Sequence, residues 1–355
     1  MNGKLKIGII GVGGISAVHI DAYRHNPHAE LYALCDIDAE KLREKGNRYG
    51  IGRLYTSAEE MLSALPELDA VSVCTWNSAH APCAIAALNA GKHVLCEKPM
   101  AVNAALAGQM LEAARRNRRV LMVGFVRRFG QDCRLVKDFI DAGALGDVYF
   151  AKAKYIRRSG NPGGWFGDRS RSGGGPLIDL GVHVIDLLRY LMGGRTPISV
   201  TAAAYNKLGN RPGLKLNTGS YLSETRAEKP VNDVEDFAAA FIRFDDGAVL
   251  SVETSFCLNG RDSAEVALYG DRGGVEFEPE LTFFTESNGY LTDVTPVPAP
   301  KFDFENAFRA EIDSFIDAIR TGAPVQAPAE DGVMLMKILD AAYESAATGR
   351  EVRLD

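Results

Sequence analysis

Lys98 sits in Cys96-Glu97-Lys98-Pro99, directly after the apolar run His93-Val94-Leu95-Cys96. Such a run reads as a buried parallel strand. Proline disfavours the helical region for the residue before it, so Lys98 should stand extended at the strand's carboxyl end. Open parallel sheets hold their ligands there. An ammonium partly withdrawn from water at that place can have its pKa lowered from about 10.4 toward a working catalyst's range. Alone, Glu-Lys-Pro describes a solvated loop lysine better; its company reverses that. The second dense stretch runs from Gly173-Gly174-Gly175 to Asp186. Asp179 and His183 are i and i+4 and share a helical face, which Asp186 approximately joins. Histidine suits proton transfer near pH 7, and a neighbouring aspartate can orient it. Leu180, Val182, Val184, Ile185, Leu187 and Leu188 leave little solvent face, so these polar groups need partners. The glycines let backbone come close to a ligand.

Gly11-Val12-Gly13-Gly14-Ile15-Ser16 lies between a predicted strand, Leu5 to Ile10, and a predicted helix, about Ile15 to Arg24. That is the frame a dinucleotide fingerprint requires. Gly11 makes the tight turn, and Gly13 lets amides approach a pyrophosphate on the helix N-terminus. Ser16 stands where glycine or alanine is usual. Asp36 ends the second predicted strand, where a carboxylate accepts hydrogen bonds from adenosine ribose hydroxyls and repels a 2′-phosphate. The expectation is NAD, with NADP disfavoured. Asp38 is the better-placed cap for the helix that follows.

The elements that position these groups alternate. Strands at Leu31–Cys35, Leu68–Cys74, around Val94 and at Val120–Val123 are separated by helices at about 38–48, 79–89 and 103–116, which predicts βαβ units and a parallel sheet. After Gly124 the pattern changes. A helix at 129–141 and a strand toward Ile156 precede a glycine-crowded loop, 158–175, and a helix at about 176–191. Four β-like runs between Ile198 and Tyr269, with a turn at Asp245-Asp246-Gly247, predict an antiparallel sheet with a helix or two on one face. Residues 206–232 read as a loop excursion, and 302–320 and 330–348 as closing helices. The expected fold class is therefore α/β: an N-terminal parallel-sheet domain (1–124), a second domain with an antiparallel sheet (125–300), and closing helices (301–355).

The 355 residues suit two domains of about 150 residues each. With 46% hydrophobic and 24% charged residues the composition is that of an ordinary globular protein. A net charge of −6 argues against nucleic acid as a partner. No apolar run reaches the ~18 residues of a membrane span, and the first strand starts too early for a signal peptide, so a cytoplasmic protein is expected. The six cysteines form no CxxC pair; they read as core residues, neither disulfides nor metal ligands.

Taken in order, Gly11-Val12-Gly13-Gly14, Cys74-Thr75-Trp76-Asn77-Ser78-Ala79-His80, Glu97-Lys98-Pro99, and the triple glycine with Asp179 and His183 resemble the glucose–fructose oxidoreductase / inositol dehydrogenase / rhizopine catabolism (Gfo/Idh/MocA) family. The resemblance spans essentially the whole chain. It implies a Rossmann domain followed by an α+β domain with a large, mostly antiparallel open sheet, tightly held NAD(P), and reversible oxidation of a secondary alcohol on a sugar or cyclitol. It implies Lys98, Asp179 and His183 as catalytic residues. Cofactor contacts are implied at Gly11, Gly13, Gly14, Ile15, Asp36, Thr75, Trp76, Asn77, His80, Glu97 and Lys98, with Asn77 and His80 lining the nicotinamide side and Glu97 near a ribose. Trp76 replaces the family's usual proline, which leaves its contact open.

The expected mechanism has His183 as general base, Asp179 orienting it and Lys98 donating to the developing alkoxide; Lys98 as proton acceptor stays open. Arg127, Tyr155 and Trp165 are substrate candidates. For Arg127 and its neighbour Arg128 the alternative is an ion pair, and for Trp165 a place in a core. Arg157, Arg158, Arg169 and Arg171 read as a solvated loop rather than a site for an acidic substrate. An NAD-dependent glycosidase working by transient oxidation and elimination, and a non-catalytic sugar- or nucleotide-binding protein, are the competing functions. A homodimer or homotetramer is expected, because family members commonly associate through the second-domain sheet.

Overall fold

The computed structural model describes residues 3–211, 214, 223 and 231–354. The predicted excursion at 206–232 falls largely outside them. The chain divides into two compact units, Met1–Val126 with Phe304–Met336, and Arg127–Asp303 with Lys337–Asp355.

In the first unit β1 (Leu5–Ile10), α1 (Ser16–His25), β2 (Ala29–Cys35), α2 (Ala39–Tyr49), β3 (Leu54–Tyr55), α3 (Ala58–Ala64), β4 (Ala70–Val73), α4 (Asn77–Asn89), β5 (His93–Glu97), α5 (Ala104–Asn117) and β6 (Leu121–Gly124) alternate. The six strands pair in the order β3-β2-β1-β4-β5-β6, all parallel. The order reverses between β1 and β4, the place where open α/β sheets bind ligands. Ile7, Ile9, Val71, Val73, Val94, Leu95 and Met122 fill the core. Asp38 caps α2 by accepting from the Glu40 and Lys41 amides. β3 and α3 were not expected; a two-residue strand carries no readable periodicity.

The second unit opens with a 3₁₀ turn, Val126–Phe129, and then α6 (Gln131–Asp141) and β7 (Val148–Ile156). The predicted loop at 158–175 contains a 3₁₀ turn, Gly164–Gly167, and α7 (Arg169–Ser172). The predicted helix after it is a π-turn, Leu177–Gly181, running into α8 (Val182–Leu191). Next come β8 (Pro197–Tyr205), β9 (Phe237–Phe244), β10 (Val249–Ser255), β11 (Ser263–Gly270), β12 (Gly274–Glu278), β13 (Thr282–Ser287) and β14 (Tyr290–Val294). With β15 (Val352–Arg353) they form a nine-stranded sheet, β14-β13-β12-β11-β7-β10-β9-β8-β15. Only β7 and β10 pair in parallel. Leu250, Val252 and Thr254 point to the buried face and Val249, Ser251 and Glu253 to the other, as the alternation requires. The helix α9 (Phe304–Thr321) belongs to the first unit, and α10 (Ala329–Thr348) passes from the first into the second. Among the described residues no helix is long and apolar enough to cross a membrane.

Candidate active site

At the reversal of strand order Gly11 has φ +90°, and a Cβ there would lie 2.7 Å from the Cys74 carbonyl carbon and oxygen. Only glycine lets the β1 and β4 ends approach so closely. A Cβ on Gly13 would meet only the Lys41 ammonium, at 4.0 Å, so the outer side of this turn is open. The Ser16 hydroxyl donates to the Gly13 carbonyl at 2.6 Å. The serine thus stitches the turn, which accounts for its place in the motif. α1 has Ile15 at its N-cap position, with no side-chain cap and no acidic residue in its first turn, so no side chain of its own competes for its positive end. Asp36 accepts from the Val12 amide at 2.7 Å and the Asp38 amide at 2.9 Å, which fixes its carboxylate beside the glycine turn. These residues fit a dinucleotide: a side-chain-free cradle, a helix N-terminus for phosphate, and an oriented carboxylate for a ribose. Thr75 and Trp76 are half-buried at the start of α4, and Asn77 is buried.

Lys98 follows β5 as expected and is half-buried. Glu97 beside it is committed elsewhere. Its Oε1 accepts from His19 Nε2 at 2.7 Å, and its Oε2 accepts the Lys98 amide at 3.1 Å. Burial works against charge on His19, but Cys74 and the Glu97 carboxylate outweigh it and raise its pKa. Burial likewise opposes charge on Glu97, and the imidazolium outweighs that and lowers its pKa. His19 Nδ1 faces the Ser72 hydroxyl at 3.3 Å, which Tyr23 also contacts at 2.8 Å. Glu97 therefore anchors the Lys98 peptide. His19 was missed, although a histidine beside Ile20 and Tyr23 on an apolar helix face was a readable signal. His80 is also tied to backbone carbonyls. Its buried ring places Nδ1 at 2.7 Å from the Pro99 carbonyl and Nε2 at 3.1 Å from the Thr75 carbonyl. It joins the β4 and β5 turns. Burial holds its pKa below the usual imidazole value.

In the second unit Asp179 and His183 share one face. From Gly174 through Arg189 every other residue is buried, and these two are half-buried. Asp179 lies in the π-turn, an irregularity frequent at functional sites. Asp186 is buried. It takes a bidentate pair from Arg128, with Nε–Oδ2 at 2.9 Å and Nη2–Oδ1 at 2.6 Å, both side chains buried. Arg127 is not a free substrate ligand either: it pairs with Glu278 at 2.7 Å and Asp132 at 3.4 Å and lies over Phe302. Packing requires glycine at positions 174 and 175. A Cβ on Gly174 would lie 2.0 Å from the Tyr343 hydroxyl, and one on Gly175 2.1 Å from the Glu235 carbonyl. Tyr155, half-buried, packs against the Leu180, Phe256 and Cys257 cluster beside the π-turn. Trp165 stacks on Phe166 with ring centroids 4.0 Å apart. Among the described residues no group of three His, Cys, Asp or Glu could hold a metal.

A Rossmann nucleotide cradle joined to an α/β unit bearing an Asp–His face defines an oxidoreductase. The family model for the oxidoreductase family, NAD-binding Rossmann fold, matches residues 5–125, and the model for its C-terminal alpha/beta domain matches residues 137–354. The chain belongs to the Gfo/Idh/MocA oxidoreductase family, and its cofactor is NAD. It is 34% identical to D-glucoside 3-dehydrogenase of Escherichia coli (strain K12), over 99% of this chain and 97% of that protein. It is 28% identical to myo-inositol 2-dehydrogenase of Thermotoga maritima, over 99% of both. The structure of levoglucosan dehydrogenase in complex with NADH matches with a TM-score of 0.85 and 27% identity, over 99% of both chains.

Proposed function

We propose that the protein interconverts a secondary alcohol and a ketone on a sugar, glucoside or cyclitol. The observation that carries this reading is the Asp179–His183 face, the two partly accessible side chains between Gly174 and Arg189. The names of the similar proteins, all dehydrogenases of glucosides, inositol or an anhydrosugar, support the substrate class. NAD, when bound, supplies the hydride acceptor. His183 takes the hydroxyl proton, as imidazole does best near neutral pH. Asp179 holds the imidazole in place and stabilises its cationic form. Lys98 donates a hydrogen bond to the oxygen as negative charge develops; losing such a donor typically costs about 10²- to 10³-fold in kcat.

Methyl glucosides, inositols and anhydrosugars, offered with NAD⁺ and followed by NADH absorbance, test the activity. Lys98→Arg and His183→Asn, compared across pH, separate the base from the hydrogen-bond donor. The variant lacking the base loses the acid limb of the profile, and undiminished turnover in both variants refutes the assignment. We further propose a homo-oligomer through the outer face of the nine-stranded sheet, where Tyr205, Phe237 and Phe241 stand together. Light scattering of Phe241→Lys, expected to show smaller particles than the wild type, tests this.

A further inference from the structure

Glu235 and Tyr343 lie outside every expected site, yet both converge on the segment that carries Asp179 and His183. Helix N-termini leave amides unsatisfied, and the π-turn has no side-chain cap of its own, its preceding residue being Pro176. Glu235, buried just before β9, fills that role from a distance. Its Oε1 accepts the Leu177 amide at 3.2 Å and the Tyr343 hydroxyl of α10 at 2.9 Å. Its Oε2 lies 3.5 Å from Arg169, whose guanidinium also covers the Tyr343 ring. Gly174 and Gly175 have no room for a side chain because these two residues occupy it. Glycine-loop, π-turn, strand and C-terminal helix thus meet on one carboxylate.

We propose that Glu235, held by Tyr343, is a positioning residue that sets the orientation of Asp179 and His183. The proposal rests on the reading of those two as the catalytic face. A buried carboxylate with three donors fixes the start of the π-turn, and the turn's register fixes which way both side chains point. A shift of about 1 Å at such a support can cost about 100-fold in rate.

The test uses the full-length protein and Glu235→Ala, Glu235→Gln and Tyr343→Phe. The His183 ring is followed by carbon-13 NMR, assigned through its loss in His183→Asn, and needs no substrate. Turnover is measured on the sugar that the wild type oxidises. NADH affinity is measured by fluorescence. Expected are a displaced His183 resonance and titration midpoint in Glu235→Ala, and a kcat about 10- to 100-fold lower with NADH affinity unchanged. Recovery is expected in Glu235→Gln, whose amide oxygen still accepts from Leu177. Tyr343→Phe should give a smaller loss of the same kind, and it carries the test if Glu235→Ala does not fold. An unmoved His183 signal, or a Gln variant no better than Ala, overturns the proposal. A displaced His183 signal in a protein that oxidises no sugar refutes the sugar reading while supporting the positioning role.

Discussion

Replacing Asp36 by serine should move the protein from NAD toward NADP. The carboxylate cannot swing aside, because the Val12 and Asp38 amides hold its two oxygens at 2.7 and 2.9 Å. A 2′-phosphate docked on the same ribose would bring its charge to within about 4 Å of it. The repulsion per charge pair is then about 1 kcal/mol at the dielectric of water and about 4 kcal/mol at an effective dielectric of 20. Asp36 is half-buried, so the true value falls between these limits, about 5- to 1,000-fold in NADPH affinity. The same change removes charged hydrogen bonds to the ribose, each worth about 1.5–3 kcal/mol, so NADH affinity should drop. Fluorescence titration with NADH and NADPH at low and high salt reads both effects. The NADPH gain should shrink as salt rises. An affinity ratio unchanged by the substitution, or a gain indifferent to salt, would refute the placement of the ribose against Asp36.

Three further outcomes follow from the buried charges and the tight packing. Asp186→Leu strands the Arg128 charge and should cost about 3–5 kcal/mol in urea unfolding, most of it recovered when Arg128→Met is added; equal instability of the double variant would contradict the pairing. The pair of His19 and Glu97 makes stability depend on pH. With the His19 pKa raised from 6.5 to about 10, its contribution is full below the lower value and is lost as pH rises through the higher. The Glu97 contribution, its pKa lowered from 4.5, is present above that value and lost as pH falls. Unfolding curves across pH should show both limbs, and His19→Gln should flatten the alkaline one. Gly175→Ala forces the chain off the Glu235 carbonyl and should cost about 1–3 kcal/mol, read by thermal unfolding, where an unchanged midpoint would refute the packing.

What could be read from the chain was what is local. The glycine turn, Asp36 and Lys98 are specified by residues within a few positions, and they stand where their strands end. Helix bounds shifted by a residue for an equally local reason: α5 starts at Ala104 because the Asn103 side chain accepts from the Leu106 amide. Residues whose partners are distant in sequence were misread. Asp186 has the spacing to join His183, but its bidentate pair with Arg128, 58 positions away, leaves no trace in that spacing. Gly174 and Gly175 look like a ligand approach until Tyr343 and Glu235 are seen against them. His80 and Glu97 lie in the expected motifs, but their ties to the Pro99 and Thr75 carbonyls and to His19 are not legible in those motifs. The π-turn has no signature in spacing, since four residues nearly complete a turn in either helix type.

The reading proposed above has Lys98 and His183 acting on the same alcohol. A double-mutant cycle of Lys98→Met and His183→Asn, read as kcat/KM on the oxidised sugar, tests it most directly. Groups that act as a unit are strongly non-additive, so the double variant should be little slower than the slower single variant. Losses that simply multiply, or turnover that survives either substitution, would contradict the claim.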